Sequence, residues 1–134
     1  MTAVRLLGDA AESDVVGSLF HTKRSGTAAR LFLAWFRQKR GRATKSEVSG
    51  FANELASGSL GFRYGRTTFY RDVLRVFVDQ GLIGLEPEMD RSSERVIKRY
   101  RRIIQPVQKR RPSSPSLIYN AHVLAEKWNR LFGE

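Results

Sequence analysis

The sequence predicts a mainly α-helical domain that carries a small β-hairpin, an α+β fold. Between residues 25 and 81, three segments repeat apolar residues at helical spacing, and each ends near a glycine. A short apolar segment, a polar turn and a segment rich in β-branched residues follow them. Helical periodicity indicates the helices, and the later change of composition indicates strands.

The length and the charge of the chain indicate which class of protein it belongs to. Its 134 residues are enough for one compact domain and a tail. The chain has 24 Lys and Arg against 13 Asp and Glu, a formal net charge of +11. This excess is typical of proteins that bind a polyanion, most often nucleic acid and sometimes an acidic membrane surface.

The missing residue types and segments exclude several classes. The chain has no cysteine, which excludes disulfides and Cys-ligated zinc and fits a reducing compartment. No apolar run reaches the roughly 18 residues of a membrane span. Asp9, Glu12 and Asp14 interrupt the N-terminal segment, which makes it a poor signal peptide. We therefore expect a cytoplasmic, nucleoid-associated protein without a membrane segment.

The first two helices have recognisable ends. Residues 1–24 are weakly patterned and suit a short helix or an arm. Ser25 or Thr27 can cap the helix of residues 25–41. For residues 44–58, Thr44 and Glu47 form a capping-box pattern and Gly58 supplies the stop. The apolar residues of that second helix that recur at helical spacing are Val48, Phe51, Ala52 and Leu55.

The third helix, residues 66–80, follows a glycine-punctuated connection of about nine residues that runs from Ser57 to Gly65. Its apolar stripe is Phe69, Val73, Val76 and Phe77. The spacing i, i+4, i+7, i+8 is typical of a helix face that packs on a core. Polar side chains occupy the rest of its surface.

The periodicity and the composition of the segment after the third helix favour different structures. Residues 82–86 suit a strand and residues 87–93 a turn. The periodicity of residues 96–107 favours a helix, but all the apolar residues there are β-branched or aromatic. Such stiff side chains favour a pleated strand. We therefore predict a hairpin.

The C-terminal part, residues 108–134, is predicted to be a basic, Pro-rich arm followed by a helix that Asn120 can cap. The spacing of five apolar residues in this helix is a/d-like and suits packing on the domain or on a partner chain. The five residues are Leu117, Ala121, Leu124, Trp128 and Leu131. We expect this helix to serve a homodimer.

The segment of residues 25–107 resembles the winged helix-turn-helix family. The resemblance is strongest at GRTTFYRDVLRVFVDQGLIG, where a polar first turn and an apolar stripe lead into a strand. Together with the arm PVQKRRPSSPSLIYN, this segment also resembles small archaeal and plasmid-borne regulators. The resemblance implies that helix 66–80 enters the major groove and that a basic wing, about residues 87–99, contacts the backbone. The connection is longer than the ~3–4 residues of compact helix-turn-helix motifs.

The candidate DNA contacts combine this resemblance with charge and position. Helix N-termini favour phosphate, and arginine can pair with guanine through two hydrogen bonds. The candidates are Lys45, Ser46, Arg63, Tyr64, Arg66, Thr67, Thr68, Tyr70, Arg71, Arg91, Arg95, Lys98 and Arg99. Alternatives stay open at this point. Residues 66–68 can be only a helix cap, the two tyrosines can be core-rim residues, and Arg71 and Arg75 can pair with Asp72 and Asp79.

No catalytic or cofactor motif is present in the sequence. His21 and His122 are isolated and lack cysteine partners, so a zinc site is not expected. Phosphate-binding and dinucleotide-binding glycine motifs are absent. We therefore expect a protein that is not an enzyme and needs no cofactor. The expected function is that of a transcriptional regulator that binds double-stranded DNA. A DNA-coating, partition or chromatin-type protein and a winged-helix module that binds proteins are the alternatives.

Overall fold

The structure of the chain is a computed structural model that describes residues 10–105 and 117–133. Its described part contains five helices and one antiparallel sheet of three strands, in the order β1-β3-β2. The elements are α1 (Ala10–Leu19), α2 (Lys23–Gln38), β1 (Arg42–Thr44), α3 (Lys45–Ser57), α4 (residues 66–79), β2 (Ile83–Asp90), β3 (Arg95–Arg102) and α5 (Leu117–Leu131). The α+β class is therefore confirmed.

Helix α2 lies at the centre of the hydrophobic core. Ala28, Phe32, Leu33 and Phe36 are buried on one side of it. The helix begins earlier than the pattern suggested, because the Thr22 side chain accepts a hydrogen bond from the Ser25 amide and acts as the N-cap. Neither Ser25 nor Thr27 caps the helix, since both lie inside it.

Helix α3 has the ends and the buried side that the sequence predicts. The Glu47 amide donates to Thr44 Oγ1 at 3.1 Å, and the Thr44 amide donates to Glu47 Oε1 at 2.9 Å. The capping box is therefore confirmed. Gly58 ends the helix with φ +82°, a left-handed conformation that favours glycine.

The capping box gives α3 a pH-dependent contribution to stability. Hydrogen bonds from the Thr44 amide and the Lys39 ammonium hold the pKa of Glu47 below its usual range. A carboxyl whose pKa is lower in the folded state stabilises the fold above about pH 4.3, and this effect is lost as the pH falls through the folded-state pKa. Urea unfolding between pH 3 and 7 should therefore show a smaller loss of stability in acid for Glu47→Gln than for the native chain. Parallel curves for the two proteins would contradict this assignment.

The hairpin is confirmed, but its turn is displaced. Strand β2 continues to Asp90, and the turn covers residues 91–94. Residues 87–90, which the sequence suggested as part of the turn, are therefore strand. Pro87 is tolerated inside β2 because this strand pairs only with β3 and lies at the edge of the sheet. The helical alternative for residues 96–107 is wrong for residues 96–102, where β-branched composition prevails over periodicity.

A short strand that the sequence did not indicate completes the sheet. Strand β1 pairs with β3 in antiparallel register, and Ala43 lies opposite Tyr100. Both residues are buried. Because β1 ends where α3 begins, its pairing fixes the start of α3 against the hairpin.

The chain ends join the same core. Val15 and Val16 of α1 and Trp128 and Leu131 of α5 are all buried in the core cluster. Helix α5 begins at Leu117, so Asn120 lies inside the helix and is not its cap. The side chain of Leu117 and the basic arm of residues 108–116 lie outside what the structure describes.

Helix α5 is attached to the end of the hairpin by its side chains. The Trp128 indole Nε1 donates to the Ile103 carbonyl at 3.0 Å. The Asn129 side-chain amide accepts from the Gln105 amide at 2.8 Å and donates to the Gln105 carbonyl at 2.9 Å. Two residues of the proposed dimer seam, Trp128 and Leu131, are therefore occupied within the monomer, and the dimer itself stays a prediction.

Candidate nucleic-acid interface

Helix α4 has one side in the core and one side exposed. Phe69, Val73 and Phe77 are buried as the apolar stripe predicts, and Val76 is half-buried. The exposed stripe on the other side, which we call the arginine stripe, consists of Thr67, Arg71 and Arg75. Because the apolar side of the helix is packed in the core, the exposed stripe is held in a fixed position on the protein surface.

The middle of α4 departs from α-helical geometry. The helix consists of Arg66–Phe69, a π-helical turn at Tyr70–Leu74 and Arg75–Asp79. A π-turn accommodates an extra residue, and Leu74 is buried beside Val73 as a result. Such turns often occur at functional sites. The sequence pattern did not reveal this turn or the burial of Leu74.

Arg71 is held in place by its neighbour. Its Nε donates to Asp72 Oδ1 at 2.8 Å and its Nη2 donates to Asp72 Oδ2 at 3.0 Å. These bonds hold the pKa of Asp72 below its usual range. The Arg71 side chain is 62% exposed. Since Asp72 occupies only the Nε edge, the Nη1–Nη2 edge faces no partner among the described residues and can donate to a base or a phosphate.

Arg75 was not among the sequence-predicted contacts, yet it is the most exposed arginine of the stripe. Its side chain is 71% exposed, and its Nε lies 3.4 Å from Asp79 Oδ2. Exposed ion pairs of this kind contribute little to stability. The signal that could have found it is its spacing, four residues after Arg71.

Arg66 has a structural task that the sequence did not indicate. Its Nη1 donates to the Ser49 carbonyl at 3.1 Å and to Asn53 Oδ1 at 2.8 Å, and both acceptors belong to α3. Its guanidinium also lies over the half-buried Tyr70 ring at 5.2 Å. Arg66 and Tyr70 therefore set the position of α4 relative to α3. Both side chains remain near the candidate interface.

The connection between α3 and α4 is long, as expected, and it is anchored at both ends. It covers residues 58–65. Tyr64 is 5% exposed and packs on Phe62, a position that fits the core-rim alternative, and a DNA contact through this side chain stays a prediction. Arg63 is exposed, and its carbonyl accepts from Arg24 Nη2 at 2.7 Å. Thr68 is half-buried on the flank of α4.

The start of α3 and the hairpin come together beside α4. Lys45 and Ser46 are exposed at the first turn of α3. They line a hollow of about 420 Å³ together with Thr44, Asp90 at the end of β2, and Ile97 and Lys98 of β3. The structure thus brings three sequence-predicted contacts, Lys45, Ser46 and Lys98, to one place.

The hairpin is less basic on its surface than its sequence suggests. Glu88 pairs with Arg99, which is only 25% exposed, and also with Arg42 at 3.5 Å. Glu86 lies 3.6 Å from Arg101. The exposed cations near the tip that form no ion pair within the described chain are Arg91, Arg95 and Lys98. The cations without an ion pair therefore lie at and near the turn, where Asp90 and Glu94 also lie.

The hairpin tip also carries apolar side chains that the sequence analysis did not single out. Met89 and Val96 form a cross-strand pair and are 60% and 64% exposed. Leu85 lies on the same side of the sheet and is also exposed. Strand alternation predicts that one side of a hairpin is apolar, but not that the core stops short of its tip.

The first basic run of the sequence, residues 23–45, is partly consumed by tertiary contacts. Lys39 Nζ donates to Glu47 at 2.9 Å, and Arg37 Nε donates to the Leu131 carbonyl at 2.9 Å. Arg24 lies over the Phe62 ring at 5.0 Å. These three cations stabilise packing, and the charge on α4 and the hairpin is the better indicator of a binding surface.

The described residues contain no cluster of three or more His, Asp or Glu that could hold a metal ion. None of the helices in residues 10–105 and 117–133 has the length and apolar character that a membrane span requires. Comparison with known proteins found no matching family model, no similar curated protein and no similar solved structure.

Proposed function

We propose that the chain is a double-stranded DNA-binding protein of winged helix-turn-helix type that acts as a transcriptional regulator. The arginine stripe of α4 lies in the major groove, and the first turn of α3 holds a phosphate through Lys45 and Ser46. The hairpin tip contacts the flanking backbone through Arg91, Arg95 and Lys98. No catalysis and no cofactor are part of this proposal.

One observation carries the proposal: the arginine stripe is exposed on a helix whose opposite side is seated in the core. Phosphate contacts position a protein on DNA, whereas base contacts specify sequence. Arginine is suited to both because its free edge can donate two parallel hydrogen bonds. The order α2, β1, α3, α4 and hairpin supports the winged-helix assignment.

Dimerisation remains part of the proposal for a geometric reason. A single recognition helix reads only a few base pairs, and paired half-sites multiply specificity. Since Trp128 and Leu131 are buried in the monomer, a dimer would have to use other surfaces of α5 or another element.

The first experiment is selection from a pool of random genomic duplexes at two salt concentrations, with sequencing of the retained DNA. Salt-sensitive binding with one enriched, near-palindromic motif supports a dimeric regulator. Salt-sensitive binding without a motif supports the alternative of a DNA-coating protein. No binding at low salt would overturn the nucleic-acid proposal.

The hairpin contact predicts a change in salt dependence. Each phosphate contact that is lost should reduce the slope of log K against log salt by about 1. We expect Arg95→Ala to reduce the slope by this amount and to weaken specific and random DNA alike. Arg101→Ala, on the same strand but paired with Glu86, is the matched control and should change the slope less. Equal slopes for Arg95→Ala and the native chain would remove the hairpin from the interface.

The exposed apolar side of the hairpin favours a second candidate, a module that binds another protein. Leu85, Met89 and Val96 form a neighbouring apolar set at the tip. Exposed apolar patches often mark protein-binding surfaces. In that case DNA association should depend little on salt, and Met89→Ser should abolish partner binding without changing DNA affinity.

A further inference from the structure

A cleft of about 630 Å³ lies between the α1–α2 turn and one flank of α4. Leu19 and Phe20 supply apolar lining from the turn, and Val76 supplies it from α4. A concave, mainly apolar site with a few polar groups is the usual form of a small-molecule site, and this volume lies in the usual range. The cleft is separate from the arginine stripe.

The hydroxyl of Tyr64 is the group at this cleft that is available to a ligand. Tyr64 lines the cleft and is only 5% exposed. Its ring packs on Phe62, and within the described chain its hydroxyl has no hydrogen-bond partner. Asp72 and Arg24, the charged groups that act most on this hydroxyl, also line the cleft. The hydroxyl is not among the fully buried polar atoms of the described residues, so it is accessible from the cleft, where it can donate a hydrogen bond to a ligand.

The charges around the cleft select the kind of ligand. Lys23 and Arg24 line it from the first turn of α2, where the helix dipole also favours an anion. Asp72 is the acidic residue of the lining, and its carboxylate is already held by two hydrogen bonds from Arg71. His21 completes the titratable lining. Arg24 already donates to the Arg63 carbonyl and lies over the Phe62 ring, so Lys23 is the lining cation that remains for a ligand, and this favours a single negative charge.

We propose that this cleft binds a small amphipathic monoanion, a carboxylate on an aromatic or aliphatic body. Lys23 attracts the carboxylate, which accepts a hydrogen bond from the Tyr64 hydroxyl. The apolar body packs on Leu19, Phe20 and Val76. A bound anion would lie beside the Arg71–Asp72 pair. Any effect on DNA affinity rests on the proposed function, whereas binding itself does not.

The test uses the full ¹⁵N-labelled chain and 4-phenylbutyrate as the probe, followed by amide chemical shifts. We expect saturable shifts at residues 19–25 and 68–76. The isosteric cation, 4-phenylbutylammonium, should bind at least about tenfold more weakly, since one charge-assisted contact is worth roughly a factor of ten. No saturable shifts in these residues up to the solubility limit, or equal affinity for the two probes, would overturn the proposal.

Two matched variants test the hydrogen bond. Tyr64→Phe keeps the ring and its packing and removes only the hydroxyl. We expect it to weaken 4-phenylbutyrate by about threefold to tenfold, the usual effect of one lost hydrogen bond. Tyr70→Phe makes the same change on α4 away from the cleft and should leave the affinity unchanged. An unaltered affinity in Tyr64→Phe, with native shifts elsewhere, would also overturn the proposal.

Discussion

Replacing Arg71 and Arg75 together with alanine is expected to weaken binding to the preferred DNA site by about 2–5 kcal/mol. Each bidentate contact to a base is worth about 1–3 kcal/mol, and neighbouring contacts do not add fully. Both side chains are more than half exposed on the free side of α4, so the fold should tolerate the change. Binding to random DNA should weaken less, because only the phosphate-directed share of the contacts is lost there.

The double lysine variant, Arg71→Lys with Arg75→Lys, separates charge from geometry. Lysine keeps the positive charge but lacks the planar fork that pairs with guanine. We expect this variant to keep the salt dependence of the native chain and to lose most of its preference for the selected site. Equal losses on preferred and random DNA for the alanine variant would show that α4 holds phosphates only, and would favour the DNA-coating alternative.

Local sequence patterns predicted the structural features that depend on residues close together in the chain. Thr44 and Glu47 predicted the capping box, and Gly58 predicted the stop of α3, because caps involve residues within one turn. The buried stripe of α4 followed from its spacing for the same reason. The composition of residues 96–102 correctly indicated a strand, because branched side chains fit a pleated surface.

Features that depend on distant residues could not be predicted from the sequence. Strand β1 exists because Ala43 pairs with Tyr100, nearly 60 residues away by the register of the sheet. The three residues of β1 carry no strand pattern of their own. The π-turn of α4 likewise reflects the packing of Leu74 beside Val73, which an α-helical pattern does not indicate.

The same distinction applies to the candidate interface. Exposure of Arg71, Arg91 and Arg95 was predicted because charged residues on a solvated side need no distant partner. Tyr64 and Arg66 were assigned as DNA contacts, but the buried Tyr64 ring lies under Arg24 of α2, and the exposed Arg66 side chain donates to α3. An aromatic or arginine side chain near a loop can pack within the protein or contact a ligand, and the sequence alone does not distinguish these two roles.

Phe32→Ala is expected to lower the free energy of unfolding by about 3–5 kcal/mol, the usual cost of removing a fully buried aromatic ring. Phe32 is fully buried, and its ring contacts rings from α2, α3 and α4. The contacting rings are Trp35, Phe36, Phe51, Phe69 and Phe77. Urea unfolding measures the change, and a domain whose stability is of the order of 5–15 kcal/mol would lose a large part of it.

Phe62→Ala is the matched control, because Phe62 is half-buried in the loop before α4 and its ring contacts Tyr64 and Arg24. Its loss should be clearly smaller than that of Phe32→Ala. Phe69 and Phe77 belong to the buried side of α4. The cavity left by Phe32 should therefore also make the position of α4, and of its arginine stripe, less fixed. The preference for a selected DNA site should then fall in Phe32→Ala even at temperatures where it is folded. Equal destabilisation by the two variants would show that the core closes around the missing Phe32 ring, and that α4 does not depend on this aromatic cluster for its position.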